Sequence, residues 1–115
     1  MVYQRDIVEV IFDDEFGGNH PAIVLSNKLV QETEGYFVCV MMTSSDFDDE
    51  FSFVIEDDML TKPLNRDHCE ARCHLINFVP IDTIISNKHR NQIKIGPFKK
   101  LIQKINNSTF STDEL

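Results

Sequence analysis

Arg5 to Phe12 opens the chain with a mostly apolar, β-branched run carrying Ile7, Val8, Val10, Ile11 and Phe12, and it predicts a strand. Asp13 to His20 turns acidic and then glycine-rich, which predicts a loop. Gly17 and Gly18 can take backbone angles that other residues avoid. Pro21 disfavours the helical region at His20, so His20 should be extended. Ala22 to Leu25 predicts a second strand, and the polar stretch Asn27 to Gly35 predicts a hairpin loop. Tyr36 to Thr43 is almost wholly apolar, the pattern of a strand buried on both faces.

Beyond an acidic turn at Asp46 to Glu50, Phe51, Phe53 and Ile55 alternate as in a half-buried strand. Glu56 to Asp67 reads as a longer connection containing Pro63. His74 to Ile81 predicts another strand, with Pro80 marking an edge or a bulge. Thr83 to Arg90 predicts a helical turn and Gln92 to Ile95 a short strand. Phe98, Leu101, Ile102 and Ile105 follow the i, i+3, i+4, i+7 spacing of an amphipathic helix. Pro97 suits its first turn, and Asn106-Asn107-Ser108 its end. A helix of about ten residues is marginal alone and must pack on the strands. Five or six short strands and one terminal helix predict a compact antiparallel barrel, mainly β. Residues 1–108 are expected to form one domain, and 109–115 a mobile tail.

Composition adds little to the fold and more to the function. No apolar run approaches the roughly 18–20 residues needed to cross a bilayer. Met1 to Asp6 lacks the basic-then-apolar pattern of a signal peptide, so a cytoplasmic protein without a membrane partner is expected. The odd set Cys39, Cys69 and Cys73 is no disulfide framework, and Cys39 reads as a reduced core thiol. The net charge of −8 argues against nucleic-acid binding when taken alone. Its distribution reopens the question. Residues 1–58 hold 14 acidic and 2 basic side chains, whereas residues 59–115 hold 5 acidic and 9 basic ones. A chain this polarised can present a basic surface, although solvated faces give the same count.

The ordered features resemble the PemK/MazF family. The resemblance rests on Asp6-Ile7-Val8, on Gly17-Gly18-Asn19-His20-Pro21-Ala22-Ile23-Val24-Leu25-Ser26, and on Val40-Met41-Met42-Thr43-Ser44-Ser45. It continues through Leu60-Thr61-Lys62-Pro63, Pro80-Ile81-Asp82-Thr83-Ile84 and Ile93-Lys94-Ile95-Gly96-Pro97, and covers about residues 5–106. The resemblance implies an SH3-like, CcdB/MazF-type barrel that pairs into a homodimer. It implies a toxin that cleaves single-stranded RNA without metal or cofactor, and a cognate antitoxin that occludes the same groove.

In that family an Arg before the Pro clamps the scissile phosphate, and a Thr at the end of the third strand hydrogen-bonds it. Thr43 matches the second position, and His20 stands at the first. Histidine, with an ordinary pKa near ~6.5, suits proton transfer better than arginine does. It lacks the bidentate fork of arginine, so another cation must steady the phosphate. Arg72 and His74 are the candidates, with Asn19 and Ser44 as further phosphate contacts.

The cluster His68-Cys69-Glu70-Ala71-Arg72-Cys73-His74 offers two thiols and two imidazoles as zinc ligands. Its spacing is poor, because adjacent strand residues point to opposite faces. No metal is therefore expected. A barrel of the same class that grips a protein, as gyrase-poisoning CcdB relatives do, is the alternative function.

Overall fold

Residues 2–11, 18–85 and 90–112 are described here, in a computed structural model. Six strands form one antiparallel sheet, β1 (Asp6–Ile11), β2 (Asn19–Val24), β3 (Tyr36–Thr43), β4 (Ser52–Val54), β5 (Glu70–Pro80) and β6 (Asn91–Gln92). Their order across the sheet is β4-β5-β3-β2-β1-β6. Two helices complete the fold, α1 (Lys28–Glu34) and α2 (Ile95–Ser108). The mainly β architecture with a C-terminal helix is the one expected. Among the described residues no helix is long and apolar enough to cross a membrane.

The central strand β3 is buried on both sides, as its unbroken apolar run predicts. Val40 and Met42 point into one core with Ile23, Ala71, Cys73 and Ile93. Phe37, Cys39 and Met41 point into the other with Val8, Val10, Ala22 and Val24. The first core is covered by α2, whose Phe98, Leu101 and Ile105 form its buried stripe. The hydroxyl of Thr109 donates to the carbonyl of Cys73 at 2.7 Å and fastens the end of α2 to β5. Asp6, with no solvent access, accepts from Tyr3 N–H, Arg90 and Gln92, which ties the N-terminal segment to β6.

Three local expectations are corrected. The polar span Asn27 to Gly35 is the helix α1. Asn27 caps it by accepting from Val30 N–H, and Gly35 ends it with φ at 70°, a left-handed angle that glycine takes without strain. The strand expected from His74 begins at Glu70. The helical turn expected at Thr83 to Arg90 is displaced to a 3₁₀ turn at Ile81–Thr83, after which Ile84 bridges Val10. Residues 86–89 of that stretch, and residues 12–17 of the expected first loop, lie outside the described residues.

The pairing of β5 with β3 is irregular. Val40 faces Ile76, and Met42 faces Ala71, so Met41 alone stands against four residues, 72–75. The three surplus residues form a large bulge. Three is odd, so the bulge reverses which residues face which core. Ala71 and Cys73 enter the first core, whereas Leu75 and Val79, farther along the strand, pack on the second.

Leu101 is completely buried under the sheet. Leu101→Ala is expected to cost about 2–5 kcal/mol of stability, read from the shift of the urea unfolding midpoint at unchanged slope.

Candidate active site

The second core opens at one end of β2 and β3. The pairing of Ala22 with Met41, continued two residues outward, sets His20 opposite Thr43. Pro21 brings no N–H to the ladder there, and the recorded β2–β3 pairs stop at Ala22. His20, Ala22 and Val24 share one face of β2, and Thr43, Met41 and Cys39 one face of β3, because strand side chains repeat every two residues. Both site residues therefore emerge above the second core.

Two adjoining clefts lie at this opening. One, of about 230 Å³, is lined by His20, Thr43, Phe47, Arg72 and His74 over a floor of Met41, Met42 and Leu75. The other, of about 280 Å³, is lined by Asn19, His20, Thr43, Ser44 and Arg66, with Glu9 on its wall. All six side chains selected from the sequence thus meet in one place, with His20 and Thr43 shared by both clefts. Arg66 joins them from the irregular connection before β5, where no pattern of residues marks it. The oxygen of Thr43 accepts from Ser45 N–H at 3.1 Å, which fixes the hydroxyl and leaves its proton to donate.

Arg72 is placed in the cleft wall, yet its guanidinium is already engaged. It meets Asp49 as a two-pronged pair at 2.9 and 2.8 Å, and it also donates to Ser52 and to Glu70. Its Cζ lies over the Phe47 ring, 4.2 Å from the ring centre. The expectation of a phosphate-gripping Arg72 therefore changes to one of an arginine that shapes the wall. His74 is exposed, and its ring packs against Phe51 at 4.4 Å.

Glu70 is the anchor of this wall. It has no solvent access and accepts from Ser52 at 2.6 Å, from His68 and Arg72 at 2.8 Å each, and from Phe47 N–H. Burial alone would raise its pKa, but the donors Ser52, His68, Arg72 and Phe47 N–H outweigh burial and bring it to about 2. Arg72 likewise holds Asp49 well below the usual carboxylate range.

The proposed zinc ligands do not assemble. Cys69 and Cys73 are buried in the first core, where burial pushes their thiols up, and Cys39 is pushed to about 12 for the same reason. Among the described residues, the one group able to offer a cation three ligands is Asp46, His68 and Glu70. Arg72 already occupies Glu70, so this group is a poor home for a metal.

A curled six-stranded antiparallel sheet with a C-terminal helix and a cleft above β2 and β3 is the architecture of MazF-type structures. Residues 3–109 match the family of PemK-like, MazF-like toxins of type II toxin–antitoxin systems, and the chain belongs to that family. No match is found among curated protein sequences.

The fold is shared with solved structures at low identity. An endoribonuclease in complex with its cognate antitoxin, from a mycobacterial species, matches at TM-score 0.76 and 10% identity, over 99% of this chain and 100% of that one. The Mycobacterium tuberculosis toxin MazF-mt6 matches at TM-score 0.70 and 17% identity, over 96% and 100%. A MazE–MazF structure from Deinococcus radiodurans matches at TM-score 0.70 and 13% identity, over 92% and 94%.

The ordinary value of 4.5 describes Glu70 in the unfolded chain, and about 2 describes it folded. Its ionisation therefore stabilises the fold fully above pH 4.5, and the benefit fades as pH falls towards 2. Glu70→Gln is expected to flatten this part of the acid limb in denaturant titrations between pH 5 and about pH 2.

Proposed function

We propose that this chain is the endoribonuclease toxin of its toxin–antitoxin pair, cutting single-stranded RNA without a metal by attack of a 2′-hydroxyl on the adjacent phosphate. The observation that carries this reading is the convergence of His20 and Thr43, from two different strands, on the same pair of clefts. Cleavage needs a base for the 2′-hydroxyl proton, a donor for the charged phosphorane and an acid for the departing 5′-oxygen. His20 takes the first proton, and the Thr43 hydroxyl donates to a phosphate oxygen. His74, the second imidazole of the cleft, supplies the proton to the leaving oxygen. The 2′-oxygen bonds to phosphorus as the 5′-oxygen departs, leaving a 2′,3′-cyclic phosphate and a free 5′-hydroxyl.

Positive charge is the scarcer resource. Arg72 is neutralised by Asp49 and Glu70, so it acts as a positioning residue. Asn19 and Ser44 add neutral hydrogen bonds to phosphates flanking the cut, and Arg66 adds a cation beside them. The other partners follow from the same reading, namely an antitoxin that covers this cleft, and a second copy of the chain as a homodimer.

The acidic surroundings of Arg72 favour a second reading, a barrel that grips a protein. Toxicity on expression without any RNA cleavage would favour it over the first.

His20→Ala is expected to lower cleavage of a long unstructured RNA at least 100-fold in the presence of EDTA, with 2′,3′-cyclic or 3′-phosphate ends from the wild type. Unchanged cleavage by His20→Ala would sink the proposed chemistry. His74→Ala is likewise expected to lower cleavage in the same assay at least tenfold.

A further inference from the structure

Phe47 is a large apolar side chain left 55% exposed at the mouth of the cleft that holds His20 and Thr43. An exposed aromatic is ordinary by itself. This one is held from behind. Its ring lies against the Arg72 guanidinium at 4.2 Å, and its backbone N–H donates to Glu70 at 3.2 Å. Arg72 is in turn fixed by Asp49, Ser52 and Glu70. Ring and cation are therefore anchored to one buried carboxylate, and the stack is set before any ligand arrives.

The charge around the stack selects its ligand. Asp46, Asp48, Asp49 and Glu50 flank Phe47 in the same turn, and Arg72 has its charge answered by two carboxylates. A phosphate seated on the ring itself, away from His20 and Thr43, is disfavoured by these carboxylates. A neutral, flat π-system is not, and it finds an aromatic surface backed by a guanidinium.

We infer that the Phe47–Arg72 stack is a base platform, which takes the face of one unpaired nucleobase of the RNA next to the phosphate held at His20 and Thr43. This rests on the ribonuclease reading and names a subsite within it. Stacking tolerates every base because each has a π-face, so the platform demands that a base be present more than it demands which one.

The test is an abasic scan of a short oligonucleotide, 2′-O-methylated throughout so that it cannot be cut, with binding followed by fluorescence anisotropy. The wild type is expected to lose about tenfold in affinity when one particular position is abasic. Phe47→Ala and Phe47→Leu are expected to lose about as much on the intact strand and nothing further at that position, whereas Phe47→Trp keeps the wild-type pattern. Thermal melting of each variant confirms folding, which the exposure of Phe47 favours.

An abasic penalty shared by the wild type and Phe47→Ala overturns the platform. So does unchanged binding of the intact strand by Phe47→Ala. If the wild type still cuts natural RNA in EDTA, the ribonuclease reading survives that loss. A wild type that neither binds the oligonucleotide nor cuts RNA overturns both.

Discussion

Glu70 lies where water does not reach, and the rim of the cleft is organised by the need to answer its charge. An ionised carboxylate in such a position is costly unless donors surround it. Here the donors come from several parts of the chain: Ser52 on β4, His68 just before β5, Arg72 in β5, and Phe47 N–H in the acidic turn. Each is fixed in space by serving Glu70. The short strand β4 pairs with this stretch of β5 and nowhere else among the described residues, so the edge of the sheet depends on the same contact. Removing one partner would leave a buried charge or an unpaired donor, which is strongly destabilising.

The two cores divide the labour. The first is closed by α2 and holds Leu101, Ile93 and the thiols of Cys69 and Cys73. The second lies on the opposite face of β3 and opens where β2 and β3 part. The cleft at that opening has an apolar floor of methionine and leucine. The helix-covered core and the open cleft thus lie on different sides of one strand.

Much of this was legible in the residues themselves. β1, β3 and α2 follow directly from apolar runs and spacing, and the pairing of His20 with Thr43 follows from a family pattern in which both positions recur. The failures have physical causes. Lys28 to Glu34 buries only Gln31, so its helix leaves no apolar stripe, and only its caps, Asn27 and Gly35, betray it. The first half of β5 hides because its buried Glu70 and Arg72 look like surface residues until their partners are known. The pinning of Arg72 by Asp49 was invisible for the same reason, since 23 residues separate them. Phe47 reads as a stray aromatic in an acidic turn, and only the guanidinium against its ring gives it a role.

The bulge in β5 has a consequence for how chain length can vary at this place. Its odd surplus acts as a phase shifter, exchanging the inner and outer roles of alternate residues between Ala71 and Leu75. Adding or removing two residues within 72–75 would preserve that exchange and alter only the size of the protrusion. A change of one residue would cancel it and turn either the Ala71 side or the Val79 side of the strand inside out. Length at this point of the chain is therefore quantised in pairs, and the wall of the cleft can grow or shrink only in those steps.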